Sequence, residues 1–199
     1  MPQTIPHVIP QAELERLQAA LLCDRDRLAV RILLATGLRT HELVALDIGD
    51  LLYPDGSVRE AVHLRVYKGS RAGTRRRPDP ATQVVYLPAA LRAELHALIA
   101  GRPPDEPLLF TTNGAGTIHG RARRLSRFHL SRIVHDACIA AGIPPYHAHD
   151  LRHTYATRLI DRGVGLREVQ VLCRHGQVAT TLLYTHPSPS RLAAAVEDL

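Results

Sequence analysis

The sequence predicts a mainly α-helical single domain of the α+β class, with a small antiparallel β-sheet on one edge. Apolar residues recur at helical spacing near the start of the chain, as in the stripe Leu14, Leu17 and Leu21. Between about residues 51 and 87 the pattern changes to alternation, which is typical of short strands. Helical spacing then returns in the second half. A chain of 199 residues with 45% apolar content can bury one core of this kind.

Capping residues, glycines and prolines predict where the individual elements begin and end. In chain order we expect helices at 11–22, 24–37 and 38–43, strands starting at 51, 58 and 83, and a helix at 88–100. A short strand or extended link at 108–111, a glycine-rich loop at 112–127, a helix from 126 or 130 to 141 and two helical runs within 149–176 follow. The segment at 54–56 (Pro-Asp-Gly) supplies the first turn of the sheet. We find no internal repeat and no linker, so we expect residues 1–199 to form one domain.

Several classes of protein are disfavoured by composition. No apolar run approaches the roughly 20 residues of a membrane span, and the first ten residues lack the pattern of a signal peptide. Cys23, Cys138 and Cys173 are scattered without metal-binding or disulfide spacing, so we expect reduced thiols and no metal site. A cytoplasmic protein without membrane contact is therefore expected.

The charge favours a polyanionic partner. The formal net charge is +6 and the pI is about 9.7, a balance typical of proteins that bind nucleic acid. Of the 25 basic residues only Lys68 is a lysine. Because lysine donates a proton far more readily than arginine, Lys68 is a candidate general acid.

Two arginine-rich stretches are candidates for contact with a DNA backbone. The first lies in the predicted hairpin after Lys68, and the second follows a glycine-rich loop. The candidates are Arg71, Arg75, Arg76, Arg77, Arg121, Arg123, Arg124 and Arg127. The alternative is that they are merely solvated surface cations.

The stretch from His149 to Tyr184 concentrates residues suited to phosphoryl transfer. His149 and Arg152 are three positions apart, so on a helix they share a face and can hold one anion. His175 and Tyr184 follow, and no carboxylate is part of the set. This combination favours attack by a phenol on a phosphodiester without a metal ion. Taken singly, each of these residues is more often structural.

Five motifs in order resemble the catalytic domain of the tyrosine recombinases, the family of phage integrases, Xer-type recombinases and fimbrial invertases. They are ATGLRTHEL at 35–43, KG at 68–69 in the predicted hairpin, HDLRH at 149–153, LCRH at 172–175 and TTLLYTH at 180–186. The resemblance covers nearly the whole chain, from about Ile9 to about Ala194.

The resemblance implies a catalytic set of Arg39, Lys68, His149, Arg152, His175 and Tyr184, supported by Glu42. The two arginines would hold the scissile phosphate and Tyr184 would attack it, forming a 3′-phosphotyrosyl link that needs neither metal nor ATP. Lys68 would protonate the leaving 5′-oxygen, and His149 would accept the phenol proton. His175 would hydrogen-bond the phosphate, while Glu42, three positions after Arg39, would order the site. The implied activity is site-specific cleavage and rejoining of duplex DNA.

Some features depart from the family pattern. Arg174 stands where the family commonly has a glycine, and it either crowds the pocket or adds a phosphate contact. The helical DNA-binding domain that usually precedes the catalytic domain is absent, so catalytic-domain architecture alone is expected. The resemblance implies a homo-oligomer, a tetramer, on double-stranded DNA, with a monomer possible in its absence. Two rival functions are a type IB topoisomerase and a DNA-binding regulator that has lost cleavage.

Overall fold

The computed structural model confirms a mainly helical fold with a small antiparallel sheet. It describes residues 7–64, 83–111, 117–118, 121–175 and 178–182. The helices are α1 Gln11–Ala20, α2 Asp24–Thr36, α3 Thr40–Leu43, α4 Ile48–Leu51, α5 Ala89–Ile99, α6 Arg127–Ala141, α7 Ala148–Asp161, α8 Leu166–Leu172 and α9 Val178–Leu182. The strands are β1 Ala61–His63, β2 Val84–Tyr86, β3 Thr117–Ile118 and β4 Arg121–Ala122.

The sheet is formed by β1 and β2, which pair antiparallel with Val62 opposite Val85. Both valines are buried while their neighbours are more exposed, as expected of short strands with one face on the core. A second pair, β3 and β4, forms a two-residue hairpin ladder where we expected only a loop. The glycine-rich composition of that region concealed its strands.

Two predicted boundaries were wrong. The first expected strand, starting at Leu51, is instead the end of α4, and Leu52 makes only an isolated bridge to Val58. Helix α4 forms because the Asp50 carboxylate accepts a hydrogen bond from the backbone N–H of Asp47 at 2.9 Å, which satisfies a donor at the helix start. The second wrong boundary is the end of α1, which lies at Ala20 and not at the expected Leu22, a residue that is 89% exposed.

Helix α2 lies at the centre of the core. Its residues Leu28, Ala29, Ile32 and Leu33 are buried, and it packs against α5, α6 and α7. Helix α1 covers the outer side of α6. The end of α2 is therefore held firmly against α7, and this junction positions the residues described below.

A smaller apolar cluster attaches α8 to α7. It consists of Ala156, Val169 and Cys173, with Tyr155 and Leu159 packed against it. This contact holds the last turn of α8 against the second half of α7. Among the described residues, no helix is both long and apolar enough to cross a membrane.

Candidate phosphate site

Four helix ends meet at the candidate site: the last residues of α2, the start of α3, the first turn of α7 and the turn after α8. They bring Arg39, Arg152 and Arg174 together around Gly37 and Glu42. These residues are far apart in the sequence, and the packing of α7 and α8 on the end of α2 assembles them. His175 follows Arg174 directly in the chain.

Arg39 lies just before α3 and is held by Glu42. The Glu42 carboxylate accepts one hydrogen bond from the Arg39 backbone N–H at 2.8 Å and one from Arg39 Nη1 at 2.7 Å. Arg39 Nη2 donates to the backbone oxygen of Arg174 at 3.0 Å. The side chain of Arg39 is 33% exposed, so the guanidinium is oriented by the protein and still reaches solvent. The predicted contact between Arg39 and Glu42 is present.

Arg152 lies inside the site, with only 2% of its surface exposed. Its Nη1 donates to the backbone oxygen of Gly37, and its Nη2 donates to the backbone oxygen of Cys173. The side chain thus ties the end of α2 to the turn after α8. His149, on the same helix, is exposed, so the two residues lie at different depths.

Arg174 is also buried and points inward. Its Nη2 donates to Glu42 Oε2 at 2.9 Å and to the Gly37 oxygen at 3.2 Å, and its Nη1 donates to the Leu172 oxygen at 3.0 Å. The sequence left open whether Arg174 crowds the pocket or contacts a phosphate. In the structure it is an internal partner of Glu42.

The cluster carries three guanidinium groups and one carboxylate. Burial acts to raise the pKa of Glu42, but the charge of Arg174 and the bonds from Arg39 outweigh it, so this pKa lies below its ordinary value. Burial, followed by repulsion from Arg39, lowers the pKa of Arg152 to about 10. The surplus of guanidinium groups over carboxylates favours an anion.

Two histidines on α7 stand side by side near the cluster. The rings of His149 and His153 meet edge to face with their centroids 4.5 Å apart. Although His149 as a whole is exposed, partial burial of its ring and then the charge of Arg152 lower its pKa. Burial and then His149 lower the pKa of His153 to about 4. Both rings are therefore neutral at pH 7, and a neutral imidazole can accept a proton.

His175 lies beyond the turn that contains Arg174. Its Nδ1 is 2.9 Å from the hydroxyl of Thr181, a fully buried residue of α9, and this contact orients the ring. Burial and the charges of Arg152 and Arg39 lower the pKa of His175 to about 4. His175 is therefore a neutral hydrogen-bonding group beside a cationic cluster.

The arginines proposed to follow a DNA backbone differ in their surroundings. Arg124 is bound internally, since its guanidinium pairs with Asp47 and donates to the oxygens of Val44 and Leu46. Arg127 is exposed and lies 4.7 Å over the ring of Phe128, which is itself 73% exposed. Arg123 is exposed as well. Arg127 and Arg123 remain candidates, whereas Arg124 serves the fold in this structure.

Several predicted residues fall outside the described part of the chain. These are Lys68, Arg71, Arg75, Arg76, Arg77 and Tyr184, together with the side chain of Arg121. Their roles remain predictions. Within the described residues no group of three or more histidine, cysteine, aspartate and glutamate side chains could hold a metal ion.

Sequence reasoning missed two contributors, His153 and Thr181, and left the role of Arg174 open. The predicted catalytic set does not include His153, although its spacing of four from His149 places the two on one helix face. Thr181 carried no local signal, because its contact with His175 depends on how α9 packs. The inward role of Arg174 could not be predicted, since it depends on a backbone turn described below.

The fold is that of a helical domain in which Arg39, Arg152 and Arg174 gather beside one carboxylate, Glu42. The profile of the phage integrase family matches residues 7–191, so the chain belongs to this family. The tyrosine recombinase XerC of Mycobacterium sp. (strain KMS) is 42% identical over 176 residues, which are 87% of this chain and 53% of that protein. The tyrosine recombinase XerA of Pyrococcus furiosus is 30% identical over 199 residues, which are 99% of this chain and 63% of that protein. The chain thus spans between about half and two thirds of these relatives.

Solved structures agree on the fold. The crystal structure of XerA recombinase superposes with a TM-score of 0.69 at 24% identity, covering 98% of this chain and 66% of that chain. The Tn1549 transposon integrase in complex with a circular intermediate DNA superposes with a TM-score of 0.72 at 18% identity, covering 99% and 67%. The predicted tyrosine-recombinase fold is confirmed.

Proposed function

We propose that this chain cleaves and rejoins duplex DNA at specific sites through a 3′-phosphotyrosyl intermediate. The observation that carries the proposal is the convergence of Arg39 and Arg152 beside neutral His149 and His175. Two arginine forks suit the oxygens of one phosphate, and their charge offsets the charge that develops in the transition state. Family membership and the naming of the relatives as tyrosine recombinases support this activity.

In the proposed reaction the oxygen of Tyr184 attacks phosphorus and the bond to the 5′-oxygen breaks. His149 accepts the phenol proton, Lys68 donates a proton to the leaving 5′-oxygen, and His175 hydrogen-bonds the phosphate. A 5′-hydroxyl from another strand reverses the step. Because the phosphotyrosyl link conserves the bond energy and the arginines supply the charge, the reaction requires neither ATP nor a metal ion.

The proposed partners are double-stranded DNA and further copies of the chain. The proposed location is the cytoplasm. The net charge of +6 and the DNA complex of the Tn1549 integrase support DNA as the substrate. Each cleaved strand is bound covalently to one tyrosine until it is rejoined. Exchange of both strands between two duplexes cleaves four strands, so we propose a tetramer. Sedimentation of the protein with and without bound DNA tests this assembly.

The function is tested by covalent capture on nicked suicide duplexes. A library with a randomised core and nicks at several positions is incubated with the protein, and adducts that survive SDS are recovered and sequenced. We expect an adduct from the wild type and none from Tyr184→Phe at equal DNA binding. The absence of any adduct across the library would contradict cleavage and favour a DNA-binding regulator.

The recovered sequence then separates recombination from relaxation. Two copies of the captured site are placed on one supercoiled plasmid, and the products are resolved on a gel. We expect deleted or inverted plasmids. Relaxed circles without recombinants would instead indicate activity of the type IB topoisomerase kind.

A further inference from the structure

We infer that Arg174 is a positioning residue of this site, which fixes Glu42 and through it sets the guanidinium of Arg39. The inference rests on the proposed function and adds to it a third arginine that does not itself need to touch the DNA. Three observations carry it: the backbone conformation of Arg174, the burial of its side chain, and its contacts with both ends of the pair formed by Arg39 and Glu42.

The backbone of Arg174 adopts an unfavourable conformation. Its φ is +51°, and no other non-glycine residue in the described ranges has a positive φ. An L-residue is disfavoured there because its Cβ approaches a carbonyl oxygen, and a glycine would avoid the cost. An arginine at this position therefore requires compensation from its side chain.

The side chain supplies that compensation as a buried ion pair. The side chain is 0% exposed, and its partner Glu42 is only 11% exposed. Nη1 and Nη2 bond to two backbone oxygens and to Glu42, while Nε is buried without a hydrogen-bond partner in the described structure. A buried guanidinium is tolerated only where such partners offset its desolvation. A residue that merely filled space would not need this charge.

Arg174 orients Arg39 in two ways, directly through its backbone oxygen and indirectly through Glu42. Its backbone oxygen accepts from Arg39 Nη2 at 3.0 Å. Its Nη2 binds Glu42 Oε2, the same oxygen that accepts from the Arg39 backbone N–H, while Oε1 accepts from Arg39 Nη1. Without the Arg174 guanidinium the carboxylate has one hydrogen bond fewer and can rotate. Since Arg39 is bound through that carboxylate, its guanidinium would move with it.

This arrangement separates positioning from DNA contact. In the structure the charge of Arg174 is paired with the carboxylate of Glu42, whereas the guanidinium of Arg152 bonds only to backbone oxygens. Removal of the Arg174 charge should therefore leave DNA affinity nearly unchanged. The rate of cleavage should fall, because a shift of about 1 Å at a group that stabilises the transition state can cost on the order of 100-fold. A direct phosphate contact would instead lower affinity as well.

The test measures covalent adduct formation on the captured suicide duplex at saturating protein, together with the protein concentration at half saturation. For Arg174→Met we expect the saturating rate to fall about 100-fold, with half saturation within about threefold of the wild type. Arg174→Lys should recover part of the rate, because an ammonium group can still pair with Glu42. Arg25→Met is the matched control, since Arg25 is also buried and bonds to Asp26 and to the oxygen of Phe110, away from the site.

A double variant tests whether Arg174 acts through Glu42. If both belong to one unit, Glu42→Gln with Arg174→Met should be no more than about threefold slower than the slower single variant. Full additivity of the two effects would overturn the inference. Should the methionine variant fail to fold, Arg174→Gly decides, because glycine accepts the positive φ and still lacks the guanidinium.

The remaining outcomes are distinct. If the wild type cleaves and Arg174→Gly or Arg174→Met cleaves at the same rate, the inference is overturned and the proposed function is left intact. A decrease in affinity at an unchanged saturating rate would overturn it in favour of a direct DNA contact. An inert wild type would overturn the proposed function and this inference together.

Discussion

Gly37 joins the end of α2 to the arginine cluster. Its φ of +59° ends the helix in the left-handed conformation, and its oxygen accepts hydrogen bonds from both Arg152 and Arg174. A Cβ at this position would lie 2.3 Å from Cδ1 of Tyr155, a rigid ring packed from α7. The glycine is therefore required twice, once by its backbone conformation and once by the close approach of α7.

We expect Gly37→Ala to lower the free energy of unfolding by about 2–4 kcal/mol. Roughly 1 kcal/mol arises from the positive φ and about 1–3 kcal/mol from overpacking against Tyr155. Gly163→Ala is the control, because φ is +80° there and no atom lies within 4 Å of the added Cβ, so only the backbone cost of roughly 1 kcal/mol applies. Urea unfolding of both variants measures the difference. Equal destabilisation would show that the Tyr155 ring yields without cost.

The histidines make stability depend on pH. Burial, with the neighbouring His149, lowers the pKa of His153 from 6.5 to about 4 in the fold. Between these values the unfolded chain binds more protons than the folded one. The contribution of His153 is therefore complete above pH 6.5 and is lost as the pH falls toward 4. We expect His153→Gln to flatten the fall of the unfolding free energy across this window, by at most about 1.4 kcal/mol per pH unit.

Urea unfolding at several pH values between 7 and 4 measures this slope for the wild type and for His153→Gln. The comparison of the two proteins removes the contribution of the carboxylates, which both proteins share. An identical slope in the two proteins would show that His153 is not held neutral by its surroundings.

At the scale of elements, α7 both closes the core and supplies the site. Its inner face buries Leu151, Thr154 and Ala156 against the rest of the molecule, and Arg152 extends from the same face. The helix begins where the Asp150 carboxylate accepts from the backbone N–H of His147 at 2.7 Å. Arg152 thus has a structural role in addition to its proposed catalytic one, whereas Arg39 is more exposed.

Arg39 and Arg152, the two arginines proposed to hold the phosphate and called the clamp here, should therefore respond differently to substitution. We expect Arg152→Met to lower the free energy of unfolding by about 2–4 kcal/mol, since the buried oxygens of Gly37 and Cys173 lose a charged donor. Arg39→Met should cost about 1 kcal/mol or less, because its side chain is 33% exposed and Glu42 keeps Arg174 as a partner.

Both variants should reduce adduct formation by at least about 100-fold. Urea unfolding and suicide-substrate cleavage of the same preparations separate the two effects. A stable Arg152→Met protein would contradict the structural role assigned to Arg152, and rapid cleavage by Arg39→Met would contradict the clamp.

At the scale of the whole molecule, the positive charge should appear as a steep salt dependence of DNA binding. The triple variant replaces Arg75, Arg76 and Arg77 by glutamine. We expect the slope of the logarithm of the DNA-binding constant against the logarithm of the salt concentration to fall by about 1 for each phosphate that these arginines bind in the wild type. The control changes Arg31, Arg158 and Arg162, which line an open groove between α2, α5 and α7, and removes the same charge. Filter binding between 50 and 200 mM salt measures both. Equal changes in slope would show that net charge alone matters and that the arginine run makes no specific contact.

The fold was predictable wherever one local signal dominated. Helices α2, α5, α6 and α8 followed from apolar spacing and from stops such as Gly37 and Gly142. The sequence misled us at Leu51, where apolar residues after a short helix resembled a strand, and at β3 and β4, where glycines suggested a loop. Short elements depend on partners distant in the chain, so their local sequence says little about them.

Residue types in a fixed order were enough to identify the family and the helical fold, and they predicted Arg39 and Arg152 as the residues that hold the phosphate. The partners of these arginines depend on packing that no local pattern records: Arg152 is buried and joins two helix ends, and the side chain of Arg174 points inward to Glu42. The physical reason is that a guanidinium has several possible partners of similar strength. Which partner it takes depends on the carbonyl and carboxylate oxygens that the packing of α7 and α8 on α2 brings within reach.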